Sequence, residues 1–377
     1  MTVLILSTGA LCAVLALLHG TSIAAAIARV RSSSPPSLPA DHCQGVSIIR
    51  PVCGIENFAD ETLGSALELD YPHYEVLFCV AHVADPVVPK VRHLIAAHPD
   101  VPARLLIGSD RIGANPKLNN IVKGWAAARH QWIVMADSNV LMPRDYIQRL
   151  LAAWRPDTGL VCSPPIGCAP DGLWAELECA FLNTYQARWQ SLADSFGIGF
   201  AQGKSMLWRR DILEAGGGIR ALAREVAEDA ASTKLIRRLG LRVRLVAEPF
   251  PQPLGARSFG EVWRRQVRWA RLRRDTFKIF FIPEILAGGL VPVAACLICA
   301  SAADWPAASV AMAFAAAWYA AEAALAYAAG WQLCYRSPLV WIVRDLLLPA
   351  LWLISWMSND FEWRGTPMHV ADRGSSA

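Results

Sequence analysis

The sequence predicts an α/β domain on a largely parallel sheet, with one membrane helix before it and about three after it. Three observations carry this reading. The first is composition: 54% of the 377 residues are hydrophobic and only 18% are charged, with a mean hydropathy of +0.30, whereas ordinary soluble domains carry roughly 25% charged residues. The second is clustering, because the apolar residues concentrate in uncharged stretches at the start and after residue 280. The third is the alternation between them of short apolar runs and helix-compatible segments, the spacing of parallel crossover units. With 36 basic against 32 acidic residues the net charge is only +4, too dispersed for nucleic-acid binding.

Residues 1–30 are the N-terminal anchor. Val3 to Ala28 carry no charged side chain, and this length exceeds the roughly 20 residues a helix needs to cross a bilayer core. A cleaved signal peptide would start with a basic region, but here Arg29 and Arg31 follow the apolar stretch. By the positive-inside rule those arginines place the next residues in the cytoplasm. Residues 31–42 are a linker, with Ser32–Pro39 rich in helix breakers.

Residues 43–280 have the composition of a soluble domain. Val46–Arg50 is a strand, Glu61–Leu69 a helix, Tyr74–Val80 a second strand and Val87–His98 a helix. Ala103–Ile107 is the next strand, Lys117–Arg129 a helix and Trp132–Ala136 a further buried strand. Residues 281–358 hold candidate spans at 283–303, 307–330 and 338–357, with Trp305 and Trp331 at interfacial positions. Glu322, Arg344 and Asp345 lie within or beside these spans and need partners there. Residues 359–377 read as a polar tail. The ten cysteines are scattered, and the single Cys-x-x-Cys, Cys296 with Cys299, lies in a span. All ten read as reduced packing residues.

In α/β sheets, ligands bind beyond the carboxyl ends of the strands. Asp137-Ser138-Asn139 follows such a strand and offers a carboxylate beside an amide oxygen, suited to a hard divalent cation on a diphosphate; a turn-forming role is the competing reading. Glu228-Asp229 begins a helix-like segment, either as a cap or as a general base. The arginine-dense segment 264–274 precedes the membrane. It reads either as a polybasic anchor with interchangeable positions, Arg274 among them, or as a diphosphate grip, since Arg265, Arg268 and Trp269 fall three and four apart on one helix face.

In order, Val46–Gly54, Asp137-Ser138-Asn139, Glu228-Asp229 and Arg265-x-x-Arg268-Trp269 resemble the family-2-like glycosyltransferases, the last being their (Gln/Arg)-x-x-Arg-Trp signature. The closer likeness is to ceramide glucosyltransferases and their bacterial relatives. It rests on Leu69-Asp70-Tyr71-Pro72 with Tyr74-Glu75-Val76, on Gly113-x-Asn115-Pro116-Lys117-x-Asn119-Asn120, and on Arg265 to Arg273. The resemblance implies a GT-A (Rossmann-like) domain facing the cytoplasm in a multi-pass protein of the bacterial inner membrane. It also implies transfer of a sugar from a UDP-sugar to the hydroxyl of a ceramide-like lipid, with inversion. In that reading Asp229 is the base and Asp137 binds Mg2+ or Mn2+. Pro51, Asp85, Lys117, Asn120, Asp137, Asn139, Arg265, Arg268 and Trp269 bind the donor. Where the family places an aspartate after the second strand this chain has His82, with Asp85 three residues on. A hopanoid-lipid N-acetylglucosaminyltransferase is the alternative enzyme, and a membrane carrier or polysaccharide-export component the alternative of another class.

Overall fold

The computed structural model describes residues 1–32, 44–363 and 366–370; the linker beyond Ser32 and Cys43 lie outside the described residues. The central sheet has seven strands in the order β3-β2-β1-β4-β7-β5-β8. In chain order these are β1 (Val46–Val52), β2 (Tyr74–Val80), β3 (Ala103–Ile107), β4 (Trp132–Ala136), β5 (Thr158–Ser163), β7 (Ser205–Arg209) and β8 (Arg242–Leu245). Strands β3, β2, β1 and β4 are mutually parallel, whereas β7 runs antiparallel to both β4 and β5. A side pair joins β6 (Ile166–Asp171) to β9 (Pro251–Ala256).

Neighbouring strand residues divide between two cores. Ile48, Phe78 and Val134 face one with Val87 and Tyr146, while Ile49, Leu77 and Ile133 face the other with Leu118 and Trp125. Burial on both faces explains why these strands read as continuous apolar runs. The helix expected at 61–69 is shorter, Ala59–Gly64 followed by a 3-10 turn.

Chain order reverses at β1, which lies between β2 and β4, so a crevice opens above the carboxyl ends of β1 and β4. Arg50 fixes its floor. Fully buried in β1, its guanidinium donates to the carbonyls of Asp137, Ser138 and Val140 at 2.9, 3.0 and 3.1 Å.

Among the described residues three helices are long and apolar enough to cross a membrane: the anchor Thr2–Arg31, Ala307–Ala328 and Ser337–Met357. The span expected at 283–303 is instead a pair, Lys278–Leu286 and Leu290–Ala302, bent by 47°; Gly288-Gly289 lies at the break. Ahead of that bend Ile279, Phe280 and Ile282 are exposed, the display of an interfacial segment.

The ionisable residues of the spans are paired, as expected. Arg344 donates to Glu322 at 2.8 and 3.0 Å and to Asp345 at 2.8 Å. Arg188, from the helix Arg188–Ser195, reaches Glu322 at 3.5 Å and His19 of the anchor at 2.6 Å. This fully buried network ties the anchor and two C-terminal helices to the domain. The nine cysteines among the described residues are all free thiols.

The expected polar tail contains a hairpin, β10 (Asp360–Trp363) with β11 (Thr366–His369). Phe361 and Met368 pack on Val226, with Ala114 and Leu272 alongside, so part of this segment is a built element.

Candidate active site

The turn after β4, the start of helix Pro116–Ala127, the start of helix Glu228–Arg238 and the turn before β7 converge on one charged cluster. Lys117 Nζ lies 2.6 Å from Asp137 Oδ1 and 2.6 Å from Glu228 Oε1, and donates to the Gly203 carbonyl at 2.6 Å. Lys204 Nζ lies 3.0 Å from Asp137 Oδ2 and 3.1 Å from Asn139 Oδ1. Burial raises the Asp137 carboxyl, but the two ammoniums outweigh it and hold Asp137 well below the usual carboxylate range. Burial likewise opposes the charge on Lys117, yet Asp137 and Glu228 prevail and raise it.

Asp229 stands beside the cluster. Its Oδ2 accepts from Gly203 N at 3.2 Å and its Oδ1 from Ala230 N at 2.8 Å. Burial, and then the charge of Glu228, push its carboxyl up to about 6 against the pull of Lys117. That value suits a general base working near neutral pH. A Cβ at Gly203 would lie 2.7 Å from Glu228 Oε1 and 3.1 Å from Lys117 Nζ, so only glycine lets this backbone come so close.

Asp229 also lines a pocket of about 200 Å³, whose walls include Phe200, Trp269, Phe277, Phe280 and Phe281. Its wall reaches Phe280, Phe281 and Glu284 of the segment 278–286. A polar site and an apolar pocket therefore share one carboxylate.

The asparagine motif has separate duties. Asn115 caps its helix by accepting from Leu118 N at 3.1 Å and donates to Glu228 Oε2 at 2.7 Å. Asn119 accepts from Ile112 N and Gly113 N at 2.9 and 3.1 Å. Asn120 donates to the Cys79 carbonyl at 2.6 Å, locking its helix to β2. Of this motif only Lys117 presents its charge to the cluster, and Asn120 acts on the scaffold.

Other expected donor residues lie further apart. Pro51 is buried in β1 opposite Cys79. Asp85 accepts from Gly54 N at 3.1 Å and Val87 N at 2.9 Å, clamping the loops after β1 and β2, while His82 is exposed. The arginine helix, Phe259–Thr276, starts with a capping box of Ser258 and Glu261. On it Arg265 pairs with buried Glu178, whereas Arg268 lies 5.5 Å above the Trp363 ring. Helical spacing puts them on one face, and different elements, Glu178 and Trp363, lie against them. Arg274 is not the interchangeable surface cation expected: it is buried and donates to the Ser355 carbonyl and to Asn359.

Sequence reasoning missed Lys204, Gly203, Arg50 and the role of Glu228 as the second anchor of Lys117. Lys204 and Gly203 carry no motif; they enter the site because β7 pairs beside β4.

Asp137 Oδ2 and Asn139 Oδ1 converge on one positive centre, the Lys204 ammonium. Hard oxygen donors of this kind fit Mg2+ or Mn2+, which bind through one or two carboxylates plus substrate phosphates. Among the described residues no group of three or more His, Cys, Asp or Glu is placed to hold a metal alone.

Among known proteins the chain is similar to ceramide glucosyltransferase 1 of Caenorhabditis elegans, 28% identical over 63% of this chain and 50% of that protein. The ceramide glucosyltransferase of Komagataella phaffii is 27% identical over 68% of this chain and 60% of its own. The chain thus spans about half to three fifths of these curated relatives. Among solved structures, a mannosyltransferase from Pyrobaculum calidifontis in complex with GDP-Man and Mn2+ covers 93% of this chain and is itself covered to 98%, at 20% identity and a TM-score of 0.48. Glucosyl-3-phosphoglycerate synthase from Mycobacterium tuberculosis gives 16% identity over 64% of this chain and 85% of its own, with a TM-score of 0.40. The sequence profile of Glycosyl transferase family 21 matches residues 9–376, nearly the whole chain with its membrane helices, and the protein belongs to that family.

Proposed function

We propose that this protein is a membrane-bound inverting glycosyltransferase that moves a sugar from a UDP-sugar to the hydroxyl of a ceramide-like lipid. One observation carries the reading: Asp229, tuned to about 6, stands beside the charged cluster and lines an aromatic pocket whose wall includes Phe280 and Phe281, just ahead of the C-terminal apolar helices. The acceptor is confined to the bilayer and the donor is soluble, so each reaches this carboxylate from its own phase. The curated relatives being ceramide glucosyltransferases supports the lipid class.

In this mechanism the lipid chain lies among Phe200, Phe277, Phe280 and Phe281, with its hydroxyl at Asp229. Asp229 takes the hydroxyl proton as the oxygen attacks the anomeric carbon, and the bond to the diphosphate oxygen breaks on the opposite face. One in-line displacement inverts the centre and requires no covalent nucleophile. Lys117 holds Asp137 and Glu228 in place while Asn115 orients Glu228, so the base works in a preorganised field. Asp137 and Asn139 would hold a divalent cation, which would supply charge neutralisation for the leaving diphosphate. Arg29 and Arg31 end the anchor on the side where Arg29 pairs with Asp194 of the domain, which supports a cytoplasmic domain by the positive-inside rule.

The test is mass spectrometry of lipids from a host that makes this protein and is supplied with ceramide and several UDP-sugars. A new hexosylceramide, absent with Asp229→Asn, is expected. A glycosylated hopanoid or no new glycolipid would overturn the ceramide assignment.

A further inference from the structure

The two lysines of the charged cluster are in different situations. An ammonium has three N–H donors. Lys117 has three oxygen partners, Asp137, Glu228 and the Gly203 carbonyl, each at 2.6 Å, so all of its donors are engaged. Lys204 has two, Asp137 Oδ2 at 3.0 Å and Asn139 Oδ1 at 3.1 Å, and its third donor has no partner among the described residues. Its side chain is 15% exposed and stands on the turn before β7, whose backbone is tied to the β4 end by the bond from Asp137 N to the Lys204 carbonyl at 3.0 Å. Lys117 has every donor engaged, and Lys204 keeps one to spare.

The Lys204 ammonium also lies where Asp137 and Asn139 direct their oxygens, the pair of hard donors that fits a divalent cation. The two positive centres compete for one place. We propose that Lys204 is a further donor-site residue that exchanges places with the divalent cation. Without nucleotide, its ammonium neutralises Asp137 and Asn139 and keeps cation affinity low. When diphosphate and cation arrive together, Lys204 yields the position and turns its charge onto the diphosphate.

The charges explain the coupling. A divalent cation approaching the donor-free site meets two ammoniums close to Asp137 and is repelled by both. A diphosphate adds negative charge that offsets this repulsion and gives Lys204 a new partner. Cation and nucleotide therefore strengthen each other's binding by the same factor. This inference rests on the donor-site reading above.

The test is Mn2+ binding followed by electron paramagnetic resonance, on the purified full-length protein in nanodiscs, with and without UDP. The wild-type protein is expected to bind Mn2+ weakly alone and about tenfold or more tightly with UDP, within the range usual for coupled sites. Lys204→Met, with Lys204→Gln as a second neutral variant, should bind Mn2+ alone about tenfold more tightly than wild type, and UDP should add much less. Both variants should bind UDP more weakly at saturating Mn2+, and Lys204→Arg should behave as wild type. Donor-free Mn2+ affinity that is unchanged or weakened in the neutral variants would overturn the exchange. If UDP fails to promote Mn2+ binding even in the wild type, the donor reading falls, while the nucleotide-free comparison still decides the role of Lys204.

Discussion

Replacing Asp229 by Asn should stabilise the protein at neutral and alkaline pH while it destroys turnover. The carboxyl is raised from 3.8 to about 6 by burial and by Glu228. In a folded state with a raised carboxyl pKa, the protonated form is the comfortable one. The penalty is absent below about pH 4, where folded and unfolded chains are both protonated; it grows between about 4 and 6 and is complete above 6. At 1.36 kcal/mol per pH unit this comes to about 3 kcal/mol, an upper value because Asp229 opens into the pocket. An Asn side chain keeps one acceptor, for Gly203 N or Ala230 N but not both, and carries no charge, so the gain falls short of the full penalty. The assay is apparent unfolding temperature in detergent at a fixed heating rate, from about pH 4.5 to 8.5, since membrane proteins often unfold irreversibly. The variant should unfold several degrees higher than wild type above pH 6.5, and the curves should merge toward pH 4.5. Turnover should fall by about 10²–10⁴-fold, the usual loss of a general base. Parallel stability curves across the whole range would refute the claim that Asp229 is held in a disfavoured ionised state.

Three further outcomes follow from the same geometry. Gly203→Ala puts a Cβ 2.7 Å from Glu228 Oε1 and should cost tenfold or more in transfer while circular dichroism stays unchanged, the order expected when catalytic groups are displaced by a fraction of an ångström. Arg274→Lys, which loses the hold on Ser355 and Asn359, should lower stability by about 1–3 kcal/mol in thermal unfolding, contrary to a surface cation. EDTA should abolish transfer and Mg2+ or Mn2+ restore it, read as labelled lipid; full activity in EDTA would leave the diphosphate to the lysines and arginines alone.

The strands around the crevice were legible because each is buried on both faces and so reads as an unbroken apolar run; Val46–Arg50, Tyr74–Val80 and Trp132–Ala136 all fall within observed strands. Asp137 and Asp229 were legible for a related reason, since a carboxylate that ends a buried strand or begins a helix stands at a defined point of the fold. Lys204 was not. Its turn precedes a five-residue strand with no periodicity of its own, and its chemistry exists only because that strand inserts antiparallel against β4. On the arginine helix, spacing placed Arg265 and Arg268 on one face, but no spacing discloses that Glu178 and Trp363 are their neighbours. At 283–303, composition suggested one span where Gly288-Gly289 allows the helix to break and bend.

In the proposed function one carboxylate joins a soluble nucleotide-sugar site to a lipid pocket. The most direct measurement uses the purified protein in nanodiscs with radiolabelled UDP-glucose, with and without ceramide in the bilayer, alongside Asp229→Asn and Phe280→Asp. Organic-extractable label should appear only with ceramide. Phe280→Asp should raise the KM for ceramide and leave that for UDP-glucose unchanged, and Asp229→Asn should cut the rate of labelling by about 10²–10⁴-fold with both sites intact. Label that forms equally without ceramide, or that forms at near wild-type rate in Asp229→Asn, would contradict this reading.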